Sequence, residues 1–190
     1  MTPRLVVVSA GTYHLPFDRL SRWVEDWLGN QEDVRLVMQH GPSAPVAGAE
    51  NVDMLPYDEL LSLCREATAV VLQGGAGGVM DMRALGITPV VVPRVPGGGE
   101  VVDDHQLVFT AEMESLGVIQ RALSAADLTR LLDRALAGDS TCAPRREVAA
   151  PGAAAVRELM QQPIRVVSPW ARVPRMLRST AAIVAARLRH

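Results

Sequence analysis

At 190 residues the chain is long enough to bury a full core and suits one domain with an appendage. Only 4% of it is aromatic while Val, Leu and Ala dominate, which argues against a β-sandwich and for an α/β protein with short Val-rich strands. The net charge of -2 is uneven: residues 1–163 carry 13 arginines against 21 acidic residues, and residues 164–190 carry six arginines and no acid, so the acidic body argues against nucleic-acid binding.

In chain order, residues 5–9 (LVVVS) predict a buried strand. In residues 16–30 (PFDRLSRWVEDWLGN), Leu20, Trp23, Val24, Trp27 and Leu28 recur at helical spacing, and Gly29-Asn30 closes the helix. Residues 34–39 (VRLVMQ) predict a second strand and 52–55 a short third. Residues 57–67 (YDELLSLCREA) read as a helix, 69–73 (AVVLQ) as a strand, 77–85 as a helix and 88–93 (TPVVVP) as a strand. A glycine-rich loop then enters a helix over 103–117 that ends in Gly117, followed by VIQ (118–120) as an edge strand. The helix over 124–138 opens on a Ser/Asp capping arrangement and ends in Gly138. Strands alternating with helices at this pitch imply one Rossmann-like parallel sheet, helices on both faces, in a domain spanning residues 1–163.

Cys64 and Cys142 lie far apart, with no CxxC and no His/Cys ligand spacing, so a reduced, cytoplasmic chain is the expectation. The apolar run near the N-terminus is four residues long, which is a strand and not a signal peptide. No segment is long enough to span a bilayer.

In an open parallel sheet, ligands bind beyond the carboxyl ends of the strands. Four loops share that rim: 9–15, 40–45, 74–78 and 93–106. They bring Thr12, His14, His40, Arg94, Glu100, Asp103, Asp104, His105 and Gln106 together with the glycines. The stretch LQGGAGGVMDMRALG (72–86) is the most suggestive piece. Its glycines allow close backbone approach, and the next helix offers unpaired amides and the positive end of its dipole, which together can neutralise a phosphate without lysine. The same glycines also read as a turn needed only for packing, and they match neither the lysine-bearing P-loop nor a first-strand GxGxxG. Asp81, one helical turn further, is placed to accept from a ribose diol, or is an ordinary first-turn acid. GGGEVVDDHQL (97–107) offers a carboxylate, an imidazole and an amide at one helix start, which suits a sugar or simply caps the helix.

Taken together, LPYDELLSLCREATAVVLQGGAGGVMDMRALGITPVVVPR followed by GEVVDDHQL resembles the C-terminal, donor-binding half of GT-B glycosyltransferases of the family 28 type. The opening SAGTYHLPFDRL matches the first strand and loop of that family, and the resemblance covers residues 4–137. It is nearest to the small single-domain members that form one subunit of two-chain enzymes for polysaccharide and lipid-linked sugar assembly. The resemblance implies that Gly74, Gly75, Gly77 and Gly78 face a nucleotide diphosphate, with Gly11 and Thr12 nearby. It places Asp81 at the ribose, and Asp104, His105 and Gln106 at the donor sugar. Two positions depart from the family pattern: Gln73 stands where many members have His, and Asp81 is one methylene shorter than the usual Glu.

Inverting transfer from a nucleotide sugar needs a stabilised diphosphate, a positioned sugar and a base for the acceptor hydroxyl. Backbone amides can meet the first need without a metal or other cofactor, the UDP-sugar being the substrate. Two-domain relatives keep acceptor recognition, and usually the base, on an N-terminal half that this sequence lacks. His14 is the only local candidate for a catalytic base, and a lone loop histidine is otherwise a solvated residue. The resemblance therefore implies a membrane-anchored partner subunit that brings a lipid-linked or polysaccharide acceptor. In WARVPRMLRSTAAIVAARLRH (170–190), Val173, Met176, Leu177, Ala181, Val184 and Leu188 fall near one helical face, with arginines flanking it. Pro169 and Pro174 limit that helix to about the last 16 residues. The basic tail, 164–190, reads as a membrane-surface or partner-binding element peripheral to the inner face of the cell membrane, or as a helix packed on its own domain. A non-catalytic scaffolding subunit with a degenerate donor site is the other reading of the whole chain. A nucleotide-sugar epimerase would need a second nucleotide-binding-type domain.

Overall fold

The Val-rich runs become the strands of a single parallel sheet. The computed structural model describes residues 3–138. Its strands are β1 (Arg4–Ser9), β2 (Val34–Gln39), β3 (Glu50–Val52), β4 (Ala69–Gln73), β5 (Val90–Val92) and β6 (Gln120–Arg121). The helices between and after them are α1 (Asp18–Leu28), α2 (Tyr57–Glu66), α3 (Ala76–Ala84), α4 (His105–Ser115) and α5 (Ala125–Leu136). The strand order is β3-β2-β1-β4-β5-β6 and every pairing is parallel. The chain thus builds outward from β1 in one direction, then returns to β4 and builds in the other. The crevice at this reversal, beyond the carboxyl ends of β1 and β4, is where such sheets bind ligands.

Strand alternation sorts the core into two layers. Val6 and Val8 of β1 point to the layer that receives Leu20, Val24 and Trp27 of α1 and Leu128 and Leu132 of α5. Leu5 and Val7 point to the other, with Cys64 of α2, Val79 and Met82 of α3, and Phe109 and Met113 of α4. Trp27 also donates its indole N–H to Asp133 at 2.9 Å, joining α1 to α5. Cys64 is 1% exposed, and burial, aided by the charge of Asp81, pushes its thiol up to about 11.

Several boundaries differ from the sequence reading. The third strand occupies 50–52, not 52–55, because Glu50–Val52 pair with Val37–Gln39, while the Leu55 amide turns to the side chain of Gln39. Pro56, which has no N–H to give a ladder, becomes the N-cap of α2. Helix α4 starts at His105 and not at 103, since the Asp103 carboxylate takes the His105 amide. Val118 bonds back to Met113, so the edge strand begins later, at Gln120. Helix α1 ends at Gly29 in a right-handed conformation (φ -59°), and Asn30 bonds back to Asp26. Gly117 (φ +67°) and Gly138 (φ +77°) do turn left-handed after α4 and α5. The expected capping at Ser124 is present, its Oγ accepting from the Asp127 amide at 3.1 Å. The expected boundary at residue 163, the tail over 164–190 and Cys142 lie outside the described residues.

Candidate functional site

The β4–α3 connection is shaped by more than glycine's freedom to turn. Gly75 is the N-cap of α3 (φ -81°), no side chain caps the helix, and none of Gly74, Gly75, Gly77 or Gly78 has a positive φ. Packing accounts for some of them. A Cβ on Gly74 would lie 3.0 Å from both Gln106 Oε1 and Thr110 Cγ2, and one on Gly75 would overlap the Gln73 amide. A Cβ on Gly78 would meet Leu72 at an ordinary 3.4 Å. At Gly77 a Cβ would meet nothing within 4 Å. Glycine in a helix costs roughly 1 kcal/mol relative to alanine. Neither backbone conformation nor internal packing requires it at Gly77, where the first turn presents bare backbone to the rim.

The β1 loop faces this turn across the reversal point. Gly11 (φ +81°) needs glycine for its conformation, and its amide donates to Ser9 Oγ at 3.2 Å. Gln39, buried at the end of β2, donates to the same hydroxyl at 3.0 Å and accepts from the Leu55 amide at 3.0 Å. Gln73 lies between the two glycine loops. A Cβ on Gly11 would come within 2.9 Å of its Cγ and Nε2, and its buried Oε1 has no hydrogen-bond partner. Thr12 and His14 are exposed, with the His14 ring 4.5 Å from that of Tyr13.

Asp81 is partly buried on α3 and accepts from the Tyr57 hydroxyl at 2.8 Å through Oδ1. That hydrogen bond to the carboxylate is the chief reason the Tyr57 pKa is raised. Met54, Tyr57 and Met80 are exposed on the segments that flank this pair.

The loop after β5 is held by two arginines. Arg94 is fully buried and donates to the carbonyls of Ala10, Leu15, Pro16 and Glu100 at 2.9–3.1 Å, with its guanidinium 4.6 Å from the Phe17 ring centre. Its charge therefore braces the segment after β1. Arg19 forms a two-pronged pair with Glu100, both bonds 2.8 Å, and also donates to the Pro93 carbonyl. Burial alone would raise the Glu100 pKa, but Arg19, the Val95 amide and Arg94 together hold it below the usual carboxylate range.

The expected sugar-binding group is divided between surface and interior. Asp104 and His105 are exposed, and His105 pairs with Asp103, whose carboxyl this contact holds below its ordinary value. Gln106 turns inward, 6% exposed, and its Oε1 accepts from the Arg94 amide at 3.0 Å beneath Gly74. His40, the other rim histidine, lies between the Ser43 carbonyl and Asp53. Sequence reasoning passed over Ser9, Arg19, Gln39 and Tyr57. Only Tyr57 had a legible signal, an aromatic at a helix start on the binding rim. A cavity of about 40 Å³ beside Thr68, Thr88 and Arg134 sits at the amino ends of β4 and β5, away from this rim.

Solved structures share this architecture at low identity. Acinetobacter baumannii MurG superposes with a TM-score of 0.61 at 19% identity, over 84% of this chain and 50% of its own. The calicheamicin glycosyltransferase CalG4 gives 0.58 at 16%, over 83% and 42%. The glycosyltransferase VinC, solved in complex with dTDP, gives 0.54 at 18%, over 84% and 42%. The chain thus spans half or less of the length of each. Comparison with curated proteins finds no match. At such identities the likeness establishes a fold, and the assignment comes from the sequence itself. Residues 5–162 match the model of the glycosyltransferase family 28 C-terminal domain, a span that takes in every element from β1 to α5 except the first residue of β1. The chain belongs to the glycosyltransferase family 28 C-terminal domain family.

Proposed function

We propose that this chain is the donor-binding, catalytic subunit of an inverting glycosyltransferase. It moves a sugar from a nucleotide sugar, UDP-linked, to a lipid-linked or polysaccharide acceptor held by a membrane-anchored partner chain. The observation that carries this reading is Gly77, a glycine in the first turn of an uncapped helix that neither its backbone conformation nor its packing requires. Bare backbone there lets a diphosphate approach the amides at the start of α3, which stabilise the leaving group without a metal. Gly11 and Thr12 close the site from the β1 loop, Asp81 takes the ribose, and Asp104 and His105 meet the donor sugar. Gln106 supports that sugar subsite from beneath Gly74. His14 is the local candidate for the base, with the partner chain as the other source. Residues 1–163 form the donor domain, and the basic tail lies against the inner face of the membrane or on the partner.

One feature favours a second reading, a non-catalytic binding or scaffolding subunit. The Gln73 side chain occupies the space between Gly11 and Gly75, where a diphosphate would otherwise lie against both loops. Calorimetric titration with UDP, beside an Asp81→Ala variant, separates the two. Saturable binding that the variant weakens at least tenfold supports the donor site, the size expected for a lost hydrogen bond to a charged group. Absence of binding at millimolar UDP, by the chain alone and by the co-expressed pair, leaves the scaffold.

A further inference from the structure

The contact between Tyr57 and Asp81 joins the first residue of α2 to the middle of α3 at the binding rim. Tyr57 is 58% exposed, and water can replace either partner in such a bond, so the contact adds little to stability. Its effect on the carboxylate is more specific. The hydroxyl occupies Oδ1 at 2.8 Å, and Oδ2 takes no hydrogen bond from any described residue. An aspartate with one oxygen engaged has lost most of its torsional freedom, so the second oxygen keeps a set direction.

The segment that carries Tyr57 is itself anchored. The Leu55 amide donates to Gln39 Oε1, the Gln39 amide donates to Ser9 Oγ, and the same hydroxyl receives the Gly11 amide. One buried polar series thus sets both the Gly11 loop and the start of α2. A Phe at position 57 would keep the ring and remove only the grip on Asp81.

We propose that Tyr57 is a positioning residue for the ribose, holding Asp81 through Oδ1 so that Oδ2 accepts from one sugar hydroxyl of a nucleoside diphosphate. This rests on the donor-site reading above. The raised Tyr57 pKa is consistent with it, because the phenol stays protonated and remains a donor throughout the neutral range.

The test is calorimetric titration of the full chain, and of its Tyr57→Phe, Asp81→Ala and doubly substituted forms, with UDP, 2′-deoxy-UDP and 3′-deoxy-UDP. The unaltered chain should prefer UDP over one of the two deoxy analogues by about tenfold, the value of one hydrogen bond to a carboxylate. Tyr57→Phe should weaken UDP about fivefold and bring that preference close to unity, with an unchanged melting temperature. In the Asp81→Ala background Tyr57→Phe should have no further effect. If Asp81→Ala weakens UDP but Tyr57→Phe keeps both the affinity and the preference, the positioning role is wrong and the donor site stands. Equal affinity of the unaltered chain for all three nucleotides also overturns it. If UDP binds neither the unaltered chain nor the co-expressed pair, the donor-site reading falls and this proposal falls with it.

Discussion

Glycines that look alike in the sequence serve different purposes. Gly11 needs its positive φ, Gly74 and Gly75 are small because Gln106, Thr110 and Gln73 press on them, and Gly77 has neither reason. That difference makes an unusual prediction. Gly77→Ala should stabilise the fold by about 0.5–1 kcal/mol, since it replaces glycine in a helix with the best helix former and meets no atom. The same change should weaken UDP by tenfold or more, because the new methyl stands where the diphosphate approaches. Urea denaturation and calorimetry on one sample measure both. A variant that is more stable and binds UDP unchanged would remove the main support for the donor site. Sequence reading could not separate these glycines, because what crowds Gly74 is a side chain 32 residues later that only the fold brings beneath it.

At the scale of elements, the loop after β5 depends on a charged strut. Arg94 ties it to the segment after β1 through the carbonyls of Ala10, Leu15 and Pro16 and to its own far side through that of Glu100, and the Arg19–Glu100 pair clamps it to α1. Removing one partner of this part-buried pair leaves the Arg19 charge with only the Pro93 carbonyl, so Glu100→Gln should cost about 1–3 kcal/mol near neutral pH. The acid dependence follows from the lowered Glu100 pKa. Its folded value lies below the ordinary 4.5, so the stabilisation is complete above that pH and is lost as pH falls through the folded value. Denaturation midpoints recorded from about pH 6 to pH 3 should therefore fall less steeply for Glu100→Gln than for the unaltered chain. Parallel slopes would mean that the carboxylate contributes nothing. Arg94 and Glu100 were legible as rim residues, but their roles were not. Which arginine meets carbonyls and which meets a carboxylate is set by β1 and β5 lying two strands apart in the sheet, a long-range relation.

For the whole molecule, the charge asymmetry makes the last prediction. The six arginines of residues 164–190, with no acid among them, should draw the chain to an anionic bilayer at roughly 1 kcal/mol per residue at the surface. Co-sedimentation with phosphatidylserine vesicles at low salt, its loss near 0.5 M salt and no binding to neutral vesicles are expected, with about 0.5 M chosen to shorten the Debye length below 5 Å. Absence of binding at every salt concentration would leave the tail to a protein partner or to its own domain. Among the described residues no helix is long and apolar enough to cross a membrane.

The sequence by itself determined the class of fold and the location of the rim. Alternating apolar runs and helical stripes are local patterns, and a parallel sheet is their physical consequence, with its ligands beyond the carboxyl ends of the strands. It also determined the family, through the order of its motifs. Only the tertiary structure decided which rim residues face outward. Gln106 and His105 are neighbours in the chain, yet one is buried beneath Gly74 and the other is exposed, because successive side chains on a helix point about 100° apart and α4 packs by one face only. Tyr57 meets Asp81 for the same reason: 24 residues apart in sequence, they become neighbours only when α2 and α3 settle side by side on the sheet.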